Sequence, residues 1–170
     1  TEKKIKSEKY AKKILKEKKI IPYFNYAFSK YLFTKFTLDI ARKHRAKCRV
    51  LRLFHVYGKN ESKTRLWPSL INATKQKKDF QMTKGDQIRD FCHIDNVVFS
   101  LLDALNFNIR NEDFPQLWDF ATGKKKSVKK FAREIWKKHV YKRKLIFNKI
   151  KNCDNTNYIA DKKHLWKIKS

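Results

Sequence analysis

The chain has 170 residues, of which 41% are hydrophobic and 14% aromatic, so it can bury a core and does not have the composition of a disordered chain. Its formal net charge of +27 favours an anionic partner, but most of the basic residues are lysines spread along the chain, and arginine is better suited to bidentate phosphate contacts. Abundant Lys, Asn, Ile, Phe and Tyr, with only 3 Gly and 3 Pro, indicate an AT-rich coding sequence. We therefore favour codon bias over selected nucleic-acid binding as the origin of the charge.

The cysteines and the apolar segments give predictions about compartment. Cys48, Cys92 and Cys153 are isolated, with neither Cys-x-x-Cys spacing nor a paired histidine, so neither a disulfide framework nor a zinc site is predicted. No run of about 18 apolar residues occurs, and the lysine-rich start of the chain has no apolar core of a signal peptide. We expect a soluble protein of the reducing cytoplasm, without a metal site or a membrane partner.

The first predicted element of substance is a long helix that begins near Asn25 and reaches about His44. Residues 1–20 before it alternate lysine and glutamate and predict at most a solvated lead-in. Pro22 restricts the chain ahead of the helix, and Asn25 is the predicted N-cap. Apolar side chains spread around this helix more widely than one buried stripe requires, so we expect two packing partners.

Tyr26 and Lys30 lie four residues apart in this helix and therefore on the same face. An ammonium group beside a phenol stabilises the phenolate, which makes the pair a candidate general acid/base. The alternative is an accidental Tyr-x-x-x-Lys pair, because both residue types are common in this chain.

A strand is predicted next, from Cys48 to Phe54, followed by His55, Val56 and Tyr57. A helix followed by a strand indicates an α/β fold with a parallel sheet. Because ligands bind at the carboxyl ends of such strands, the three residues after the strand are predicted to form a site wall. A plain exit from strand to loop is the alternative.

The second half of the chain continues this alternation. The pattern predicts a helix from Leu66 to about Lys75, and Ser127 is predicted to cap a helix that reaches Trp136. Asp95 is predicted to cap a helix that follows a strand from Arg89. The remaining predicted elements are strands at Phe80–Met82, Leu117–Ala121 and Leu145–Phe147, and a terminal helix that starts at Asp161 and runs through Leu165 and Ile168.

Four segments in a fixed order carry a family resemblance. They are Asn25–Lys30 with its Tyr-x-x-x-Lys pair, Arg52–Gly58, Gly85–Asp95 and Phe120–Gly123. Together they resemble the C-terminal half of extended short-chain dehydrogenases/reductases, the NAD-dependent epimerase/dehydratase family acting on nucleotide sugars. The run from Phe80 to Phe91 is most similar to the 4-ketosugar reductases of that family.

The resemblance implies an α/β fold, namely the C-terminal part of a Rossmann-type doubly wound parallel sheet plus a small α+β substrate domain. It places the end of the Rossmann-like domain in residues 21–58, after the lead-in of residues 1–20. Residues 59–170 would form mostly the substrate domain, with a short return to the Rossmann sheet. A homodimer is implied as well, because the Tyr-x-x-x-Lys helix of the family contributes to a dimer interface.

The resemblance also implies roles for single residues. Tyr26 would exchange a proton with a sugar hydroxyl, and Lys30 would hold the nicotinamide ribose. Thr1 lies at a plausible distance upstream to be the catalytic Ser or Thr of the family. His55 and Val56 would line the cofactor, and Tyr57 and Arg89 the substrate, with the Arg89 guanidinium on the diphosphate of a nucleoside-diphosphate sugar.

The sequence lacks one expected motif of this family. A dinucleotide fold needs a glycine-rich turn that lets the backbone approach the pyrophosphate, but Gly58, Gly85 and Gly123 have no such spacing. We therefore expect half an enzyme, in which the N-terminal half that binds NAD or NADP is absent or is a companion chain. The alternatives are a remnant that binds only nucleotide sugar, and a basic nucleic-acid-binding protein.

Overall fold

The structure, a computed structural model, describes residues 22–107, 114–139, 143–151 and 156–168. Thr1, the lead-in of residues 1–20 and Cys153 lie outside these ranges. The elements follow in the order α1 (Pro22–Lys43), β1 (Arg49–Leu53), β2 (His55–Tyr57), α2 (Leu66–Lys75), β3 (Phe80–Gln81), β4 (Ile88–Arg89), β5 (Phe91–His93), α3 (Ile94–Asn106), β6 (Gln116–Ala121), β7 (Lys126–Ser127), α4 (Val128–His139), β8 (Leu145–Ile146), a 3₁₀ turn (Lys162–His164) and β9 (Leu165–Lys167).

Helix α1 begins at Pro22, earlier than the predicted start at Asn25. Proline fits the first turn of a helix because its φ is already helical and the N–H it lacks has no partner there. Leu38 and Ala41 are buried. Phe33, Phe36 and Ile40 recur at helical spacing and are exposed; we call these three residues the exposed α1 row.

The strands form short, mostly parallel pairings. One sheet has three strands in the order β1-β6-β9, and β9 runs parallel to β6. The pairs β2-β5 and β3-β8 are also parallel, whereas β4-β7 is antiparallel. Parallel neighbours joined through helices are the mark of an α/β protein, and the predicted fold class is confirmed.

A hydrophobic core lies where α2 and α4 meet the β3-β8 pair. Val128, Ala132 and Trp136 recur every fourth residue along α4 and are buried against Leu70 of α2 and Met82. Ser127 Oγ accepts a hydrogen bond from Lys130 N–H at 3.1 Å, so the predicted cap of α4 is confirmed. Helix α2 also has the predicted limits.

The predicted N-cap of α1 at Asn25 is wrong, because that residue lies inside the helix, and two further predicted details near the ends of elements are also wrong. The N-cap of α3 is His93, whose Nδ1 accepts a hydrogen bond from Asp95 N–H at 3.3 Å, because Ile94 is already helical. Asp95 lies in the first turn, where its negative charge still favours the helix. The terminal helix is also wrong: Asp161 caps only a 3₁₀ turn, and Leu165–Lys167 is a strand because it pairs with β6.

The described chain divides into two compact units. One contains residues 22–51 and 114–118, and the other contains the described residues from 52 to 107 and from 119 onward. No helix within the described ranges combines the length and the apolar character needed to cross a bilayer.

Candidate functional site

The residues predicted to form a site wall lie at the parallel pair β2-β5, within the unit that contains residues 52–107. His55 lies opposite Phe91, Val56 opposite Cys92 and Tyr57 opposite His93. The three residues predicted to follow a strand are therefore a strand themselves. Their side chains lie beside the Gly85–Asp95 segment, which carries the second predicted group of site residues.

Tyr57 is the centre of a group of aromatic side chains. Its ring makes an edge contact with Phe131 at 4.8 Å and with His93 at 5.2 Å between centroids, and Trp67 and Phe91 both lie at 6.3 Å. Burial raises the pKa of the Tyr57 phenol, and the nearby Cys92 and Glu134 add to this. The Tyr57 ring is thus packed among aromatic side chains, and its hydroxyl stays protonated near neutral pH.

His55 is held as a neutral imidazole. Its ring meets Phe91 edge-on at 5.0 Å, and its backbone N–H donates to Asp90 O at 3.1 Å. Burial lowers the pKa of His55 to about 4, and the charges of Arg89 and Arg65 act in the same direction. Near neutral pH this side chain can both donate and accept hydrogen bonds.

Arg89 is buried, with a relative exposure of 7%. Its Nη1 donates to Ile88 O at 3.0 Å and to Thr156 O, and its guanidinium carbon lies over the ring of Tyr158, 4.5 Å from the centroid. Thr156 lies 67 residues further along the chain than Arg89, and Tyr158 belongs to the same tail segment. Sequence reasoning missed these partners, because nothing near Arg89 in the sequence points to them.

Asp90 joins three strands and had no predicted role. Its buried carboxylate accepts hydrogen bonds from Thr122 N–H at 3.0 Å and from Thr122 Oγ1 at 2.6 Å, just after β6 ends. The carbonyl of Asp90 accepts from His55 N–H, at the start of β2. The sequence did contain a signal for this contact, because Asp90 and Thr122 are polar residues in otherwise apolar strand segments, and buried polar groups need hydrogen-bond partners.

Cys92 lies beside this carboxylate. Burial raises the pKa of its thiol to about 12, and the Asp90 charge contributes to the shift. A thiol that stays protonated is a poor nucleophile, so Cys92 is a packing residue.

Tyr26 and Lys30 lie on α1, in the unit that contains residues 22–51. Lys30 Nζ is 5.4 Å from the centroid of the Tyr26 ring, so the structure brings this predicted pair together. Tyr26 is 70% exposed and its ring is accessible. Arg89, His55, Val56 and Tyr57 are assembled in the other unit, and Thr1 lies outside the described residues.

The glycines and the start of α4 test whether the described residues fit the diphosphate of a dinucleotide. A Cβ on Gly58 would lie 2.4 Å from Ile94 Cγ2, and one on Gly85 would lie 3.0 Å from Lys129 N. These glycines therefore serve close packing within the chain. At the start of α4, the N–H groups of Val128 and Lys129 already donate to Gln87 O and Gly85 O. No pyrophosphate loop is formed by the described residues.

A family model supplies the assignment that these features point to. The model described as the NAD dependent epimerase/dehydratase family matches residues 7–114, and the chain belongs to that family.

Two curated relatives agree. The chain is 31% identical over 134 residues to the ADP-L-glycero-D-manno-heptose-6-epimerase of Brachyspira hyodysenteriae, which covers 74% of this chain and 40% of that protein. It is 32% identical over 120 residues to the CDP-abequose synthase of Salmonella muenchen, covering 69% of this chain and 39% of that protein. The chain thus spans about two fifths of the length of these relatives.

Solved structures have the same fold. UDP-glucose 4-epimerase of Thermotoga maritima matches with a TM-score of 0.62 and 19% identity, over 85% of this chain and 46% of that one. dTDP-glucose 4,6-dehydratase of Bacillus anthracis matches with a TM-score of 0.65 and 15% identity, over 85% and 44%. The chain therefore has the fold of about half of such a Rossmann-type protein, as predicted for its C-terminal part.

Proposed function

We propose that this chain is the C-terminal portion of an NAD(P)-dependent nucleotide-sugar epimerase, dehydratase or 4-ketoreductase, with Tyr26 as its acid/base. The observation that carries the proposal is the Tyr26–Lys30 pair on α1, with an accessible phenol and an ammonium group 5.4 Å from the ring centroid. Membership of the NAD-dependent epimerase/dehydratase family supports the same reaction class. The relatives named heptose epimerase and CDP-abequose synthase support a nucleotide sugar as substrate.

Each residue of the proposed site has a role that follows from the chemistry of its side chain. Tyr26 exchanges a proton with a sugar hydroxyl, and Lys30 stabilises the phenolate and holds the nicotinamide ribose. The nicotinamide of NAD or NADP, when bound, gives or takes the hydride. His55 and Val56 line the cofactor side, where a neutral imidazole offers hydrogen bonds without adding positive charge. Thr1 keeps its predicted role as the catalytic hydroxyl residue.

Tyr57 and Arg89 form the substrate side of the proposed site. The guanidinium of Arg89 suits a diphosphate, because its N–H groups form a planar fork that matches two phosphate oxygens. Tyr57 provides a protonated hydroxyl and an aromatic ring that packs edge-on against Phe91. The ligand class is a nucleoside-diphosphate sugar.

Turnover by a Tyr26→Phe variant tests the proposal. The variant is made in a chimaeric enzyme in which the dinucleotide-binding half of the Brachyspira hyodysenteriae epimerase precedes this chain. We expect kcat to fall on the order of 10²–10⁴-fold, because the positioned proton donor is lost while the ring remains. Tyr31→Phe, on the same helix, is the matched control and should turn over normally. Wild-type turnover by Tyr26→Phe would remove Tyr26 from the mechanism.

A second candidate function is a remnant that binds nucleotide sugar but not the dinucleotide. The observation that favours it is the use of Gly58 and Gly85 for internal packing, together with the occupied N–H groups at the start of α4. Titration calorimetry of the 170-residue chain with UDP-glucose, CDP-glucose, NAD and NADP separates the two candidates. Tight NAD binding by the chain alone would contradict a remnant that binds only nucleotide sugar.

A further inference from the structure

Helix α3 has apolar side chains on both of its sides. Three residues on the inner side are buried and anchor the helix in its unit, namely Val97, Ser100 and Ala104. Three large apolar residues on the outer side are exposed, and we call them the α3 row: Phe99, Leu102 and Leu105. Exposed apolar side chains gathered on one helix face mark an interaction surface, whereas scattered ones do not.

A depression of about 420 Å³ lies beside this helix, within the same unit. Its lining comes from the second half of α3 and from β9, namely Ser100, Asp103, Asn106, Phe107, Trp166 and Lys167. The rings of Phe107 and Trp166 meet edge to face, with their centroids 5.2 Å apart. A hollow of this size with aromatic walls can accept an aromatic side chain.

Helical spacing places Phe99 next to this depression. Phe99 precedes Asp103 by four residues and Asn106 by seven, so these three side chains follow one line along α3. The Phe99 side chain is 68% exposed. One face of the chain therefore carries an exposed aromatic ring and, beside it, a hollow with aromatic walls. A two-fold axis makes such a face complementary to itself, because the ring of each copy meets the hollow of the other.

The charge distribution also favours a second copy as the partner at α3. The chain has 43 Lys and Arg residues and a net charge of +27, so two copies repel each other across most of their surfaces. Among the four described α-helices, α3 alone has neither Lys nor Arg, and it carries Asp95 and Asp103. Contact through α3 therefore avoids most of this repulsion. Lys167 lines the depression together with Asp103, so each copy presents both charges there and can pair them with the other copy.

We propose that α3 is a self-association surface, at which two copies of the chain meet about a two-fold axis and each inserts its Phe99 ring into the depression of the other. This contact is separate from the exposed α1 row, which belongs to the other unit. The two surfaces together would join more than two copies. The inference goes beyond the proposed function and does not depend on it, because none of the residues assigned to the reaction takes part.

Two variants with complementary defects test the contact. Phe99→Ala removes the inserted ring and keeps the depression, whereas Asn106→Trp fills the depression and keeps the ring. Both are made in the chimaera with the Brachyspira hyodysenteriae half, which also carries Phe36→Glu to remove association through α1. Asn72→Trp, at an exposed position of α2, is the matched control. Sedimentation velocity over a series of concentrations measures the self-association of each variant and of their equimolar mixture, and thermal melting checks the fold.

We expect each variant alone to associate at least about 10-fold more weakly than the parent, because an aromatic ring buried at the centre of an interface contributes much of its binding energy. The mixture should associate more tightly than either variant alone, since the depression of Phe99→Ala accepts the ring of Asn106→Trp. Asn72→Trp should associate as the parent does. A mixture that is no tighter than the separate variants would overturn the insertion of Phe99.

Two other outcomes would also overturn the proposal. If the parent chimaera with Phe36→Glu stays monomeric at every concentration, no second copy covers α3. If Phe99→Ala lowers the melting temperature but leaves association unchanged, the dinucleotide-binding half covers the α3 row instead. In either case the proposed function stands, because turnover by the chimaera is measured separately.

Discussion

The imidazole of His55 shows how burial and charge act together on one side chain. Its pKa lies at about 4, against 6.5 for an unperturbed histidine, because burial and the cations Arg89 and Arg65 all disfavour the protonated form. The sequence predicted His55 as a site residue after a strand but did not predict its protonation state. One of the two guanidinium groups that lower its pKa belongs to Arg65, at the N-cap of α2, and the other to Arg89 on β4. The sequence did not predict that these two residues lie near His55.

The stability of the chain should therefore fall on acidification from pH 7 to pH 5. In this window the unfolded state protonates His55 whereas the folded state keeps it neutral, so the unfolded state binds more protons and acid favours unfolding. His55 should account for up to about 2 kcal/mol of this loss. Urea unfolding of the chain co-expressed with a dinucleotide-binding half, followed by tryptophan fluorescence, measures it.

The matched variants are His55→Gln and His44→Gln. His55→Gln should flatten the pH dependence, because it removes the group that titrates. His44→Gln, at the exposed end of α1, should keep the wild-type dependence. An unchanged pH dependence in His55→Gln would contradict the predicted role of burial and charge at this residue.

Asp90 is a residue whose motif was visible in the sequence but whose structural role was not. Arg-Asp-Phe was part of the family resemblance, but the role of its aspartate became clear only from the hydrogen bonds to Thr122. A carboxylate buried among apolar residues needs donors, and Thr122 supplies both a backbone and a hydroxyl donor. The single carboxylate thus fixes the end of β6 next to the strand that carries Arg89.

At the scale of elements, helices with a clear apolar period were predicted well. The limits of α2 and the cap of α4 agree with the sequence pattern, because local spacing and a capping serine determine them. The segment at Leu165–Lys167 was predicted as helix because its apolar spacing fits both helix and strand. Pairing with β6, which is distant in the sequence, stabilises the strand over the helix.

The contacts of the candidate site also differ in whether they could be predicted from the sequence. The Tyr26–Lys30 pair depends on four-residue helical spacing and was predictable. The partners of Arg89 were not, since Thr156 and Tyr158 reach it only through the folded tail. Local contacts follow from sequence spacing, whereas contacts across the fold require the topology.

The exposed α1 row supports the proposal that the complete protein is a homodimer. Phe33, Phe36 and Ile40 lie at helical spacing, and their exposure leaves an apolar stripe that a second copy of α1 can cover. We expect Phe36→Glu to shift the chain towards monomer in sedimentation velocity, because burying an unpaired carboxylate in such an interface is costly.

Lys35→Glu is the control for this charge change. Lys35 is exposed on the same helix but lies away from the exposed α1 row, so its reversal should leave self-association unchanged. An equal effect of both substitutions would indicate that charge alone, and not the apolar row, governs association.

At the scale of the whole molecule, exposed apolar surface is the main determinant of behaviour in isolation. Besides the exposed α1 row, three apolar side chains of α3 are exposed, namely Phe99, Leu102 and Leu105. Each large apolar side chain left in water forgoes roughly 1.5–3 kcal/mol, against a typical domain stability of about 5–15 kcal/mol. The net charge of +27 opposes compaction further.

The 170-residue chain alone should therefore melt with low cooperativity and bind a hydrophobic dye. Both properties should be reversed by co-expression with a dinucleotide-binding half, which would cover part of this surface. Scanning calorimetry and dye fluorescence measure the two effects. A sharp two-state transition of the chain alone would show a self-sufficient domain and contradict the prediction of half an enzyme.

The position of the tail has a consequence for the order in which the molecule is made. Residues 156–168 supply Thr156 O and Tyr158 to Arg89, a backbone N–H from Asp161 to Asp119, and the strand β9 beside β6. During synthesis this stretch leaves the ribosome after every other described element. The nascent chain can therefore form its α2-α4 core early, but Arg89 lacks its contacts with Thr156 O and the Tyr158 ring until the tail has left the ribosome. A product released before that point would carry the Arg-Asp-Phe motif without these contacts.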